Sequence, residues 1–131
     1  MKIKLTILIV FVFSLITNAQ KWTSYNTANT SKQLCNNNVN AIAFDLDGSQ
    51  WFGTTDGVSK FDGTNWYTYT SNNGLINDSV NVIAIDARDN KWFGTWGGGV
   101  SKFDGVNWTT YNITNGLASN FIYSISFDSN G

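Results

Sequence analysis

The fold of this chain is decided by a stretch that occurs twice. Residues 51–69 read WFGTTDGVSKFDGTNWYTY and residues 92–111 read WFGTWGGGVSKFDGVNWTTY. The copies differ at four positions, and the second copy has one additional residue between its Gly-Thr and Gly-Val steps. So close a repeat within 131 residues predicts a fold built from repeated structural units.

The match extends outward at a period of 41 to 44 residues. Asn73-Gly74-Leu75 recurs at 115–117, and a Val/Ile-x-x-Ile-x-x-Asp pattern begins at Val39, Val80 and Ile122. A period of this length, divided into short apolar runs by Asp-Gly and Gly-Thr steps, is typical of four-stranded propeller blades. The four strands predicted for the first unit are 39–45, 50–55, 58–62 and 65–70.

Composition supports an all-β fold. Aromatic residues make up 15% of the chain, and Asn, Thr, Ser and Gly are abundant. A helical solenoid is the competing interpretation, but no apolar stripe of helical period runs through the unit. We expect Trp51, Trp66, Trp92 and Trp108 to fill the space between blades, and Gly53 and Gly94 to permit close sheet packing.

The first nineteen residues have the order of a secretory signal peptide. Lys2 and Lys4 precede an apolar run at 5–16, and small residues lead to a cleavage site after Ala19. A membrane anchor is the alternative, but the apolar run is short for a span. The remaining chain has six basic and nine acidic side chains, a net charge of −3. We therefore expect an exported protein, periplasmic or at the cell surface, with no membrane span and no nucleic-acid partner.

The elements Trp-Phe-Gly-Thr, Gly-Val-Ser-Lys-Phe-Asp-Gly and Asn-Trp resemble the two-component regulator propeller repeat, over roughly 22–131. The resemblance implies β-propeller blades. It also implies an origin among extracytoplasmic sensor regions of hybrid histidine kinases, or among secreted and surface propellers of Bacteroidetes-type bacteria. No kinase-like sequence accompanies the repeats in this chain.

The predicted domain at 20–131 holds about two and a half four-stranded antiparallel blades, an incomplete propeller. It consists of an outer strand at 22–26, blades at 39–70 and 80–112, and the start of a third blade at 122–131. Propellers close with typically about four to eight blades. We therefore expect a fragment of a longer protein that supplies the remaining blades. Self-association into a ring is the alternative.

Catalytic chemistry has few candidates. The chain contains no histidine, and all nine acidic residues are aspartates, most of them at repeated turn positions. Asp45-Leu46-Asp47-Gly48 only partly resembles a calcium loop, which needs more oxygen ligands. We predict no enzyme activity, no catalytic residue, no metal site and no cofactor.

Binding residues are expected where the blades differ. In propellers the links between blades and the turns between second and third strands share one face, which here means 71–79, 113–121, 55–57 and 96–99. Trp96 has no tryptophan counterpart in the first blade, and it precedes three glycines, so it is predicted either to stack on a glycan or peptide or to cap the blade edge. The predicted binding residues are Trp96, Thr55, Asp56, Asn77, Asp78 and Asn81.

The sequence thus favours a non-catalytic binding or sensor module of β-propeller type. A structural interaction module of a secreted surface protein is the second hypothesis. A propeller lyase is the third, and it would need histidine chemistry that these residues lack.

Overall fold

The computed structural model describes residues 23–31 and 33–128, and it contains two four-stranded antiparallel sheets in which the strands follow chain order. The all-β, propeller-like prediction is confirmed. The first sheet is formed by β1 (Val39–Phe44), β2 (Gln50–Thr54), β3 (Gly57–Phe61) and β4 (Trp66–Tyr69). The second sheet is formed by β5 (Val80–Ile85), β6 (Lys91–Thr95), β7 (Val100–Phe103) and β8 (Trp108–Tyr111).

The two sheets have the same internal register. Each first strand carries a bulge after its first residue, at Asn40 in β1 and at Asn81 in β5. An aspartate closes the β3–β4 turn and its counterpart, the β7–β8 turn. In the first, the Asp62 carboxylate accepts hydrogen bonds from the backbone N–H groups of Thr64 and Asn65 at 2.8 and 2.6 Å. These repeated local contacts explain why nearly identical sequences give sheets with the same strand register.

We call the surface where the two sheets pack the closed interface. Its centre is Phe93, which is completely buried and whose ring centroid lies 5.7 Å from that of Trp51. Trp51 in turn stacks on Tyr69 at 5.5 Å with an interplanar angle of 20°. A Cβ atom added to Gly53 would lie 2.7 Å from Val80 Cγ1, so glycine is required where the sheets approach each other. The core of buried side chains comprises Trp51, Val58, Leu75, Val80, Ile83 and Phe93.

The chain segments at the two ends of the described region form no regular strand. The sequence predicted an outer strand at 22–26. The structure forms no strand at 23–26, and Trp22 lies outside the described residues. Tyr25 nevertheless packs on Phe61 and Trp66, as Tyr69 packs on Phe103 and Trp108 one repeat later. The predicted signal peptide at 1–19 also lies outside the described residues.

The segment 122–128 likewise lacks strand pairing, although the sequence predicted the first strand of a third blade there. In the two complete sheets the first strand pairs with the strand that follows it, and the described residues contain no strand after 122–128. The segment still lies against the second sheet. The Ile122 N–H donates to the Thr95 carbonyl at 3.0 Å, and Ile122 Cγ2 would lie 2.5 Å from a Cβ on Gly94.

Candidate functional site

Each sheet has two ends, which differ in what they carry. The link end bears the links 70–79 and 112–121 and the turns β2–β3 and β6–β7; the turn end bears the tight β1–β2 and β3–β4 turns and their counterparts. Backbone hydrogen bonds join the link-end segments: Gly57 N–H donates to the Asp78 carbonyl at 2.8 Å, and Gly99 N–H donates to the Asn120 carbonyl at 2.9 Å. The loops in which binding residues were predicted therefore form one connected surface.

Trp96 lies at this surface with 49% of its area exposed. Its ring meets Phe121 at 5.3 Å and 79°, and Tyr123 at 5.4 Å and 87°. Phe121 and Tyr123 are themselves 47% and 73% exposed. We call these three side chains the aromatic cluster. Edge-to-face contacts at such distances hold the rings against one another, so the cluster is a platform rather than a cage with space between its rings.

The additional residue of the second repeat positions Trp96. The loop 96–99 has two left-handed glycines, Gly97 at φ +102° and Gly99 at φ +101°, which a side chain would strain. Gly98 lies so close to Asn77 that an added Cβ would be 2.5 Å from the Asn77 Cβ. The Trp96 N–H donates to the Ser79 carbonyl at 2.8 Å, so the backbone of Trp96 is anchored while its indole remains half exposed.

Repeat equivalence shows how unusual the cluster is. Trp96, Phe121 and Tyr123 occupy positions at which the preceding repeat has Thr55, Ser79 and Asn81. Three small or polar residues are thus replaced by three aromatics that touch one another. The sequence prediction included Trp96 and missed Phe121 and Tyr123. The signal that finds them is the comparison of the partial third repeat with the second.

Thr55 and Asp56 form the corresponding turn of the first sheet, where no aromatic cluster exists. The Asp56 carboxylate accepts a hydrogen bond from Asn36 Nδ2 at 2.7 Å, and its N–H donates to Thr54 Oγ1 at 3.1 Å. These two residues belong to the link end, but their contacts serve the first sheet and the preceding link. Within the described residues, no hydrogen bond joins either of them to Trp96.

Asn77 and Asp78 lie in the link that approaches the Trp96 loop. Asp78 accepts from the Ser71 N–H at 2.6 Å and from the Ser71 hydroxyl at 3.1 Å, which secures the short 3₁₀ turn Ser71–Asn73. Asn77 Oδ1 accepts from the Ser79 N–H at 2.9 Å. Within the described residues Asn77 Nδ2 donates to no protein acceptor, so it is available to a ligand beside Gly98.

The side-chain amide of Asn81 contacts the protein itself. Its Nδ2 lies 3.5 Å from the Ile122 carbonyl oxygen, as Asn40 Nδ2 lies 3.0 Å from the Val80 carbonyl oxygen one repeat earlier. Both asparagines bridge from a bulged first strand to the segment that follows in the next repeat. Tyr123 holds the equivalent position in the third repeat and contacts Trp96 instead.

Charge is distributed unevenly between the two ends. In the described part of the chain, all lysines and arginines lie at or next to the turn end: Lys60, Arg88, Lys91 and Lys102. The link end carries only the carboxylates of Asp56 and Asp78 among the described residues. An anionic ligand would find no cation there, so the charges of the link end disfavour an anionic ligand.

The carboxylates of the turn end serve turns. Asp86 illustrates this: burial would raise its pKa, but hydrogen bonds from Asn90, the Trp92 indole and backbone N–H groups lower the pKa to about 2. Backbone N–H groups of Asn65 and Thr64 similarly lower the pKa of Asp62 to about 2. Groups held so firmly in the ionised form are poor proton donors at neutral pH.

Residues 23–31 and 33–128 contain no group of three or more side chains that could hold a metal ion. Their helices are the two 3₁₀ turns Ser71–Asn73 and Ile113–Asn115, and neither is long and apolar enough to cross a membrane.

Solved structures that resemble this chain include the following two. The extracellular domain of the hybrid two-component system BT3049 from B. thetaiotaomicron matches with a TM-score of 0.63 and 30% sequence identity, over 71% of this chain. PorZ, a surface component of the type-IX secretion system of Porphyromonas gingivalis, matches with a TM-score of 0.51 and 22% identity over 66% of this chain, a likeness of fold. This chain spans 14% of the length of each. No protein-family model and no curated protein matches the chain.

Proposed function

We propose that this chain is part of an extracytoplasmic, non-catalytic β-propeller that binds a ligand at its link end, as a sensor or recognition module. Its repeats are assigned to the two-component regulator propeller type, preceded by a signal peptide at 1–19. The repeat motif supports this assignment, as does the likeness to the extracellular domain of a hybrid two-component system.

The observation that carries the binding role is the aromatic cluster. Soluble proteins seldom expose contiguous apolar patches without a partner. Here three rings, each about half exposed or more, replace small or polar residues of the preceding repeat. The ligand is uncharged and presents an apolar face to the Trp96 indole, as a neutral glycan or a peptide segment does. Asn77 Nδ2 supplies a hydrogen-bond donor beside the rings.

The experiment uses tryptophan fluorescence titrations with two probe sets: neutral oligosaccharides (cello-, malto- and xylohexaose) and short uncharged peptides. We expect a saturable signal from one set, and at least a tenfold loss of affinity in Trp96→Thr, which installs the residue of the first repeat, on the order expected for a lost stacking contact.

The matched control is Tyr67→Thr. Tyr67 is 45% exposed, and its repeat equivalent is Thr109, so this variant also exchanges an exposed aromatic for the neighbouring repeat's residue. Tyr67 lies away from the link-end loops, with its hydroxyl 3.3 Å from Asp62 Oδ2. An equal loss in both variants, or a probe signal that Trp96→Thr leaves unchanged, would contradict binding at the cluster.

A further inference from the structure

An apolar cavity of about 310 Å³ opens on the side of the second sheet that faces away from the first. We call it the open pocket. Its walls come from the second sheet, the following link and the terminal segment 122–128. The lining residues are Trp92, Val100, Tyr111, Leu117, Ile125 and Phe127.

Each lining residue has a repeat equivalent in the closed interface. The equivalents are Trp51, Val58, Tyr69, Leu75, Ile83 and Ile85, which surround Phe93 and pack with Phe103 and Trp108. The walls also have the same geometry. Trp92 stacks on Tyr111 at 5.7 Å and 17°, where Trp51 stacks on Tyr69 at 5.5 Å and 20°. The open pocket is therefore shaped for a phenylalanine in the place that Phe93 holds in the closed interface.

Two glycines show independently that a side chain fills the closed interface and that the equivalent place beside the open pocket is empty. Gly74 and Gly116 end the 3₁₀ turns of successive links, with φ values of +122° and +108°. A Cβ added to Gly74 would collide with the indole of Trp108, whereas a Cβ added to Gly116 would meet nothing within 4 Å. The space beside Gly116 is where a tryptophan equivalent to Trp108 would lie.

The first-strand position beside the open pocket is already taken by this chain. Ile122 packs beside Gly94 as Val80 packs beside Gly53, and Ile125 and Phe127 follow at the positions of Ile83 and Ile85. An occupant that brought a first strand of its own would compete with 122–128. The occupant must therefore supply the second, third and fourth strands only, pairing its second strand with 122–128.

A second copy of this chain meets two conflicts. Its first sheet already carries β1, which would compete with 122–128 of the other copy. Its Tyr25 already packs on Phe61 and Trp66, with centroid distances of 5.5 and 5.4 Å, which is the place that Tyr111 of the other copy would need. Docking of a copy would displace both segments.

We infer that the open pocket is a docking site for a three-stranded blade segment of this same repeat type. The segment pairs its Trp-Phe-Gly strand with 122–128 and inserts the Phe of that strand and the Trp of its last strand into the pocket. Strand addition supplies backbone hydrogen bonds, and the open pocket together with the space beside Gly116 supplies specificity. The inference does not depend on a ligand at the aromatic cluster.

The test extends the full chain after Gly131 by a second copy of residues 90–112, which continues the repeat in register because Gly131 is equivalent to Asp89. Hydrogen–deuterium exchange of the peptide 122–128 is the readout. These amides belong to no strand in the unextended chain, and we expect their exchange to slow by at least about tenfold on pairing.

The matched control carries the same extension with its copies of Phe93 and Trp108 both changed to Asp, and it should leave exchange at 122–128 as fast as in the unextended chain. A free peptide of residues 90–112 gives a second measurement, with protection that saturates as peptide is added. Unchanged exchange with both extension and peptide would overturn the inference, as would equal protection by the control. Concentration-dependent dimerisation of the unextended chain that protects 122–128 would identify a second copy as the occupant and would also overturn it.

Discussion

The closed interface and the open pocket are built from equivalent side chains, yet only the closed interface excludes solvent. Trp51 and Leu75 are almost fully buried against the second sheet, while their equivalents Trp92 and Leu117 are only partly buried beside the open pocket. The difference does not come from these residues themselves, which are identical at five of the six equivalent positions, the exception being Ile85 and Phe127. It comes from Phe93 and Trp108, which a following blade contributes to the closed interface. Burial in this fold is thus a property of blade pairs.

Substitution of the central ring of the closed interface and of one lining ring of the open pocket gives the largest contrast. Phe93→Ala should lower the free energy of unfolding by about 3–5 kcal/mol, because it leaves a cavity among Trp51, Trp108 and Ile83. Phe127→Ala, beside the open pocket, should cost under about 1 kcal/mol, since its ring already lies partly in solvent. Urea unfolding followed by circular dichroism measures both. Equal losses would show that the two sites are equally packed in solution.

The paired link glycines sharpen the comparison. Gly116→Ala should cost about 1–2 kcal/mol, the strain of a left-handed conformation alone. Gly74→Ala has the same strain and must also displace the Trp108 indole, which adds about 1–3 kcal/mol of overpacking. The difference between the two free energies of unfolding therefore reports the packing of the closed interface. A larger loss for Gly116→Ala would show that something also occupies its neighbouring space.

The sequence predicted the blades well because their determinants are local and repeated. Asp62-Gly63 and the Trp-Phe-Gly strands specify turns and packing in each copy. Each element is therefore predicted from two stretches of sequence. It predicted less of the aromatic cluster. Phe121 and Tyr123 occur once, in the partial third repeat, and only the chain path of the link brings them to Trp96.

Asn81 illustrates the opposite difficulty. It was predicted to add a polar contact to a ligand, which stays a prediction. Its amide approaches the Ile122 carbonyl, a contact that depends on the bulge after Val80. Strand formation at 122–128 could not be judged from local pattern either, because a strand needs a paired neighbour as well as its own apolar residues.

Acid should weaken the turn of the second blade. Asp86 has a pKa of about 2 in the folded chain against its usual 3.8, so its carboxylate stabilises the fold above pH 3.8 and this contribution is lost as pH falls towards 2. Asp86→Asn should cost about 1 kcal/mol at pH 7 and flatten the acid dependence of unfolding between pH 4 and 2. Asp47→Asn, at an exposed turn position, is the charge-matched control for the loss of one carboxylate. An acid profile that Asp86→Asn leaves as steep as before would contradict this role.

The smallest effect on stability is expected at the aromatic cluster. Trp96→Thr should change the free energy of unfolding by under about 0.5–1 kcal/mol, because the indole is half exposed and its backbone hydrogen bond to Ser79 remains. Truncation of a packing residue such as Phe93 should lower the stability of the protein, whereas truncation of a recognition residue should lower its affinity for the ligand. A loss approaching that of Phe93→Ala would mean that Trp96 caps the blade edge, and the binding role would then fall to other residues of the link end.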